Sequence, residues 1–223
     1  VNPPGFAKPR KHGISLTIYG VLRSRASRPV WLAKELGLDY RHVPVIQGYR
    51  LPDAGAPEAP LNTTSAAFRA VNPNGLVPSV DDDGLILHES MAITLHLARK
   101  HGGPLAPRGG SEDALATMWS FWAVTTVETP ALSTRGGAEA IAQAMPALDR
   151  AFTVLADALS AGDGWLVGGR FTVADLNVAE VVRYAAGVTS LFETHRAVKD
   201  WLAACHARPA FQAMWAEREA EPV

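Results

Sequence analysis

Apolar positions along this chain change period near its middle. Ile14 to Gly20 (ISLTIYG) is a short β-branched and apolar run ending in glycine, which predicts a strand. Arg28 to Leu38 sets Val30, Leu32, Ala33 and Leu36 at helical spacing, with Gly37 as its stop. Tyr40 to Ile46 predicts a second strand, and strand-helix-strand in that order implies a parallel crossover. Gln47 to Thr64 is rich in Pro, Ala and Gly without a period, as in a long surface loop. Thr64 or Ser65 caps a short helix through Ala70, ahead of the turn Asn72-Pro73-Asn74-Gly75. Two more strands follow, one opening at Val77-Pro78 and one at Leu85-Ile86-Leu87, joined by the acidic turn Asp81-Asp82-Asp83-Gly84. A helix from Ser90 to about His101 completes a mixed α/β portion, which Gly102-Gly103-Pro104 closes.

From Ser111 the pattern is helical throughout. Ser111 to about Val127 carries Leu115, Met118, Trp119, Trp122 and Val124, with Glu112 and Asp113 in the first turn, where acidic side chains suit the helix dipole. Ala138 to Ala161 predicts a second helix, with Pro146 inside it and the turn Gly162-Asp163-Gly164 after it. Thr172 and Asp175 stand at the spacing of an N-cap and its third-position partner, an Asp variant of the capping box, opening a helix through about Tyr184. A last helix covers His195 to Ala207, with Pro209 beyond it and one further turn at Phe211 to Trp215.

A chain of 223 residues can bury two modest cores or one large one. Its formal charge of −1 supplies no net basic field for nucleic acid or anionic lipid. No apolar run approaches the roughly 18 residues of a membrane span. Val1 to Gly13 is rich in Pro, Lys and Arg and is expected to be a loose extension rather than a secretory signal. The single cysteine, Cys205, excludes an internal disulfide framework and is compatible with a reducing cytosol. The seven histidines show no compact ligand spacing, so no metal site is expected, and the run Asp81 to Asp83 is a solvated turn.

Val71 to Ala98 (VNPNGLVPSVDDDGLILHESMAITLHLA) concentrates the chemistry. Pro78 near a strand start has lost a ladder donor, and Val77-Pro78 is a candidate cis bond turning a backbone edge outward. Glu89-Ser90 at a helix start sits where free amides and the positive dipole end favour an anion. Together they describe a site for a small, extended, charged peptide. The stretch closely resembles the glutathione-binding half of the thioredoxin-like domain in glutathione S-transferases, and GGRFTVADL (168–176) resembles the folding motif of that family's helical domain.

Upstream, Ser24 lies between strand end and helix start. Its hydroxyl has two readings: a helix cap, or a donor to a sulfur anion. The resemblance favours the second. Serine-type transferases (theta, delta and zeta-like) place a serine four residues before an arginine, as Ser24 precedes Arg28. A thiol near pKa 8.5 reacts as thiolate, and one hydroxyl donor beside a helix N-terminus makes more of it at neutral pH. Ser27 is the rival and fits a cap; Tyr19, the donor type of other classes, sits inside the strand, where packing is its plainer role. Pro29 departs from the motif but suits a first turn.

The resemblance implies further roles. Val77, before Pro78, offers its backbone to the cysteinyl part of glutathione, like an added strand. Ser90 takes the γ-glutamyl carboxylate or is a plain N-cap, and Glu89 meets the ammonium or holds the turn. The glycyl-carboxylate donor has no named residue. Trp119 and Trp122 share a helix face and belong either to the core or to the pocket for the electrophile. The implied architecture is an α/β thioredoxin-like domain over 14–103 and an all-α domain over 111–223, after the extension 1–13. The implied function is that of a cytoplasmic, homodimeric glutathione transferase acting in detoxification, with glutathione as co-substrate, a hydrophobic electrophile taken between the domains, and no permanent cofactor. A related peroxidase, dehalogenase or isomerase, and a non-enzymatic binding module on the same fold, are the alternatives.

Overall fold

The computed structural model describes residues 15–221; the extension expected over 1–13 and Ile14 of the first strand lie outside them. Four short strands form one mixed sheet: β1 (Leu16–Tyr19), β2 (Tyr40–Val43), β3 (Ser79–Asp82) and β4 (Leu85–His88), in spatial order β2-β1-β3-β4. β1 runs parallel to β2 with Leu16 opposite Tyr40, and antiparallel to β3 with Tyr19 opposite Ser79. The parallel pair is joined through α1 (Ser27–Glu35), the crossover that the strand-helix-strand pattern implies. Val30, Trp31, Leu32 and Ala33 of α1 are wholly buried. Gly37, at φ 62°, ends α1 in a Schellman arrangement, with the Leu38 amide donating to the Ala33 carbonyl at 2.9 Å. A short α2 (Ala66–Arg69) buries Phe68, and α3 (Ser90–His101) follows the β3–β4 hairpin.

The remaining elements are helical. α4 (Gly110–Trp122) passes through one π-type turn (Ala123–Val127) into α5 (Glu128–Ser133), and α6 spans Ala138–Ala161 with Pro146 inside it. α7 (Val173–Val182) is buried at every position, Asp175, Asn177 and Glu180 included, so it forms the centre of this part and its polar side chains need partners inside the protein. Its capping box is present as the sequence implies, Thr172 covering the Ala174 amide and Asp175 reaching back to Thr172. Three helices depart from expectation: the sequence pattern does not indicate α5 (Glu128–Ser133) or α8 (Thr189–Thr194), and the single turn expected at 211–215 is a full helix, α10 (Pro209–Ala220). The helix expected from His195 is α9 (Arg196–His206). Pro209, which sequence suggests as a stop after it, opens α10 in the first turn, where a missing N–H costs no helical bond.

Packing divides the described residues into two compact units, one of 15–93 with 213–221 and one of 94–212. The break falls inside α3, between Ile93 and Thr94, and the end of α10 rejoins the first unit. Within the second unit, Thr94 donates to the Asn177 side-chain oxygen at 2.8 Å, and Asn177 donates to Ser120 at 2.8 Å. All three are buried, so α7 is cross-tied to the start of the unit and to α4 by satisfied polar groups.

Candidate functional site

The turn between β1 and α1 is organised by its amides. Leaving the sheet, Gly20 donates to the Val43 carbonyl at 3.0 Å and Val21 to Val45 at 3.2 Å. Ser24, half-buried, then directs its Oγ two ways: it donates to the Val21 carbonyl at 2.6 Å and accepts from the Ala26 amide at 3.0 Å. The hydroxyl thus stands beside the N-terminus of α1, with its proton on a carbonyl from which it can turn. Ser27 is different. It is fully buried, and its Oγ donates to the Ser24 carbonyl at 3.1 Å. The capping role expected of Ser27 is not what it performs: Ala26 holds the cap position without a side-chain bond, and the turn amide is covered by Ser24. Tyr19 packs its ring 6.3 Å from that of Phe68.

The loop before β3 is fixed by Asn72, which is buried and donates to the Leu76 carbonyl at 2.8 Å and to Ser79 at 3.1 Å while accepting from the Asn74 amide. Gly75, at φ 62°, lies so close to the Thr63 carbonyl that a Cβ would come within 2.7 Å of its oxygen. The Val77-Pro78 bond is cis, as the strand-start proline suggests. Gly20, at φ 132°, leaves no room for a side chain: a Cβ there would sit 2.9 Å from Ala26 Cβ and 3.0 Å from Val77 Cβ. This close approach seats Val77 against the β1–α1 turn.

At the start of α3, Glu89 is exposed and adopts φ 67°, an unusual conformation for a residue with a side chain, while its carbonyl accepts from the Ile93 amide at 2.9 Å. Ser90 is the first helical residue and is buried, its Oγ accepting from Arg28 Nη1 at 2.8 Å. Arg28 is itself fully buried on α1. The first unit therefore brings Ser24, Val77, Pro78, Glu89 and Ser90 onto elements that touch through Gly20 and Arg28. An exposed carboxylate, helix-start amides and a turned hydroxyl can hold a zwitterionic peptide and an anion beside it.

Sequence reasoning had Arg28 only as a motif member; a buried arginine hydrogen-bonded across to Ser90 is a link that spacing does not encode. It missed Glu221 altogether. That carboxylate, near the far end of the chain, accepts from the Leu22 amide at 3.0 Å and the Arg23 amide at 3.2 Å. Glu217, one helical turn earlier, meets Lys34 of α1 at 2.7 Å. Burial opposes the charge on Lys34, yet its bonds to Glu217 and Tyr40 outweigh it and hold the ammonium above its ordinary value.

In the helical unit, Trp119 is 7% exposed and packs edge-on against half-exposed Trp122, ring centres 5.0 Å apart at 83°. Of the pair, Trp122 retains the more accessible surface, next to exposed Met118 and Phe121. An open groove of about 310 Å³ lies farther on, between the stretch from Thr126 to Ser133 and α6, and neither tryptophan lines it. Among the described residues, no group of three or more His, Cys, Asp or Glu could hold a metal ion, and no helix is long and apolar enough to cross a membrane.

Residues 18–105 match the family described as glutathione S-transferase, N-terminal domain, and residues 115–209 the one described as glutathione S-transferase, C-terminal domain. The glutathione S-transferase of Hyoscyamus muticus is 29% identical over 216 residues, covering 89% of this chain and 96% of that one. Glutathione S-transferase GstB of Escherichia coli is 31% identical over 160 residues, covering 65% of this chain and 76% of its own length. The theta class glutathione S-transferase from Xanthomonas axonopodis pv. citri, solved with glutathione bound, superposes with a TM-score of 0.64 at 28% identity, over 90% of this chain and 97% of that one. A mixed four-stranded sheet followed by helices, a hydroxyl-bearing turn beside a cis-proline loop, and both domain matches in chain order lead to one conclusion: the chain belongs to the glutathione S-transferase family.

Proposed function

We propose that this protein is a glutathione transferase that binds glutathione on its first unit and activates the thiol through Ser24. The observation that carries the reading is the half-buried Ser24 hydroxyl, whose only competing commitment as a donor among the described residues is the Val21 carbonyl at 2.6 Å. On glutathione binding, the hydroxyl turns from that carbonyl toward sulfur and keeps the Ala26 amide as its own donor. A hydrogen bond to the ionised form, beside the positive end of α1, favours thiolate over thiol. The thiol proton leaves to solvent, the sulfur lone pair attacks the electrophilic carbon, and the leaving group departs with its bonding pair. Ser24 is a donor throughout, neither nucleophile nor base.

Val77 lends its backbone to the cysteinyl residue in the manner of an added strand, with Pro78 fixing the loop. Ser90, held by Arg28, takes the γ-glutamyl carboxylate together with the first amides of α3, and Glu89 pairs with the ammonium. Trp122, with Trp119 packed behind it, contributes apolar surface for the electrophile. No cofactor is permanently bound. The protein acts as a cytoplasmic homodimer in detoxification, without nucleic-acid or membrane partners.

The test is calorimetric titration with glutathione, followed by product analysis on a panel of aryl halides, peroxides, haloalkanes and maleyl compounds. Millimolar or tighter binding with conjugate formation is expected. No binding of glutathione at millimolar concentration overturns the reading. Turnover restricted to peroxides, haloalkanes or maleyl compounds moves the protein to the related peroxidases, dehalogenases or isomerases.

A further inference from the structure

Beyond Gly20 and Val21 the chain leaves the sheet, and the next two amides have no ladder to join. Both are taken by one side chain: Glu221 Oε1 accepts from Leu22 at 3.0 Å and Oε2 from Arg23 at 3.2 Å. The clasp is reciprocal, since the Arg23 guanidinium donates to the Glu219 carbonyl at 3.3 Å. Glu217, four residues before Glu221 and so on the same side of the segment, grips Lys34 near the other end of α1 at 2.7 Å. The end of the chain therefore pins α1 at its last turn and the turn before α1 at its first two residues. Leu22 is 2% exposed, so at least one of these bonds is made in a place poor in water, where bonds to a charged acceptor are strong.

We infer that Glu221 is a positioning residue for the thiolate site, bridging the Leu22 and Arg23 amides and so holding the turn that presents Ser24. The inference rests on the reading of Ser24 given above. Ser24 follows Arg23 directly, and its hydroxyl must swing from the Val21 carbonyl to sulfur while the backbone beneath it stays fixed. A donor misplaced by a fraction of an ångström loses most of its hold on the thiolate. The carboxylate does not touch the substrate in this scheme. It acts through geometry, although as a negative charge it opposes thiolate formation nearby, and the two effects have opposite signs in experiment.

The full chain is compared as wild type, Glu221→Ala, Glu221→Gln, Ser24→Ala and the Ser24→Ala/Glu221→Ala double variant. Ultraviolet absorbance of bound glutathione thiolate is followed against pH, and calorimetry gives the Kd for glutathione. Glu221→Ala is expected to hold about tenfold less thiolate at neutral pH, the equivalent of one charged hydrogen bond, with Kd changed by less than about threefold. Glu221→Gln, which keeps one acceptor, falls between and carries the test if the alanine variant does not fold. The double variant is expected to match Ser24→Ala, since a residue acting through another adds nothing once that residue is gone. Wild-type or increased thiolate in the Glu221 variants, while Ser24→Ala is impaired, overturns the inference and leaves the Ser24 reading intact. Additive loss in the double variant also overturns it. A wild-type titration in Ser24→Ala overturns the Ser24 reading and the inference together.

Discussion

Replacing Asp175 by alanine should destabilise the protein more in acid than at neutral pH, the reverse of the usual behaviour of an aspartate. Asp175 is wholly buried and accepts from four donors: Leu166 N at 3.1 Å and Trp201 Nε1 at 3.0 Å on one oxygen, Thr172 N at 2.9 Å and Thr172 Oγ1 at 3.2 Å on the other. Burial nonetheless pushes its carboxyl up from 3.8 to about 6, against the pull of those four bonds. The folded state thus binds this proton more tightly than the unfolded chain does. Its stabilisation is fully present below the unfolded value of 3.8 and is lost as pH rises through 6. The loss by neutral pH is about 3 kcal/mol. Alanine removes both effects at once. Three buried donors (Leu166 N, Thr172 N and Trp201 Nε1) lose their acceptor, which costs about 5 kcal/mol after partial relaxation. At neutral pH the relieved burial of the ion offsets about 3 of this, leaving about 2 kcal/mol; at about pH 4.5 the offset shrinks and the net cost grows to about 4 kcal/mol. Urea unfolding of both proteins at the two pH values measures this difference. A cost that is constant, or larger at neutral pH, would show that Asp175 is held as a stabilised ion and that burial does not dominate it.

His206 has the opposite sign. Burial lowers it to about 4, with Arg183 adding to the effect and Glu180 opposing it, so its stabilising contribution is present above its ordinary 6.5 and lost as pH falls through 4. Its ring stacks on Phe211 at 4.1 Å, and its buried Nε2 has no hydrogen-bond partner among the described residues, so His206→Phe should gain about 2 kcal/mol on wild type in urea as pH falls from 7 to about 4.5. Gly20→Ala must fit a Cβ 3.0 Å from that of Val77 at φ 132°; a loss of about 1–3 kcal/mol in Tm-derived stability is expected, with weaker glutathione binding by calorimetry. Glu89→Gly relieves φ 67° and should raise urea stability by about 1 kcal/mol while weakening glutathione binding about threefold; unchanged or tighter binding would remove Glu89 from the ammonium site.

The sheet was legible in the sequence because β1 and β4 are short, largely apolar runs bounded by turn residues, and because the helix between β1 and β2 implies a parallel crossover. The Thr172–Asp175 box was legible for the same reason: its bonds are local, so spacing encodes them. α10 was not. Pro209 punctuates a chain in the same way whether it ends one helix or begins another, and the packing that extends α10 to Ala220 involves partners remote in sequence. In the site, the spacing to Arg28 favours Ser24, burial and hydrogen bonding then distinguish it from Ser27, and Glu221 was invisible because its partners lie 198 and 199 residues away. Local chemistry reads from the chain; long-range hydrogen bonds do not.

The central claim is that the Ser24 hydroxyl stabilises the glutathione thiolate. It is tested most directly by titrating the thiol of bound glutathione, through its ultraviolet thiolate absorbance, on wild type and on Ser24→Ala. Wild type is expected to depress the thiol well below its free value near 8.5, and the variant to return it toward that value with about tenfold or greater loss of turnover at neutral pH. An unchanged titration on the variant, with glutathione still bound, would contradict the account.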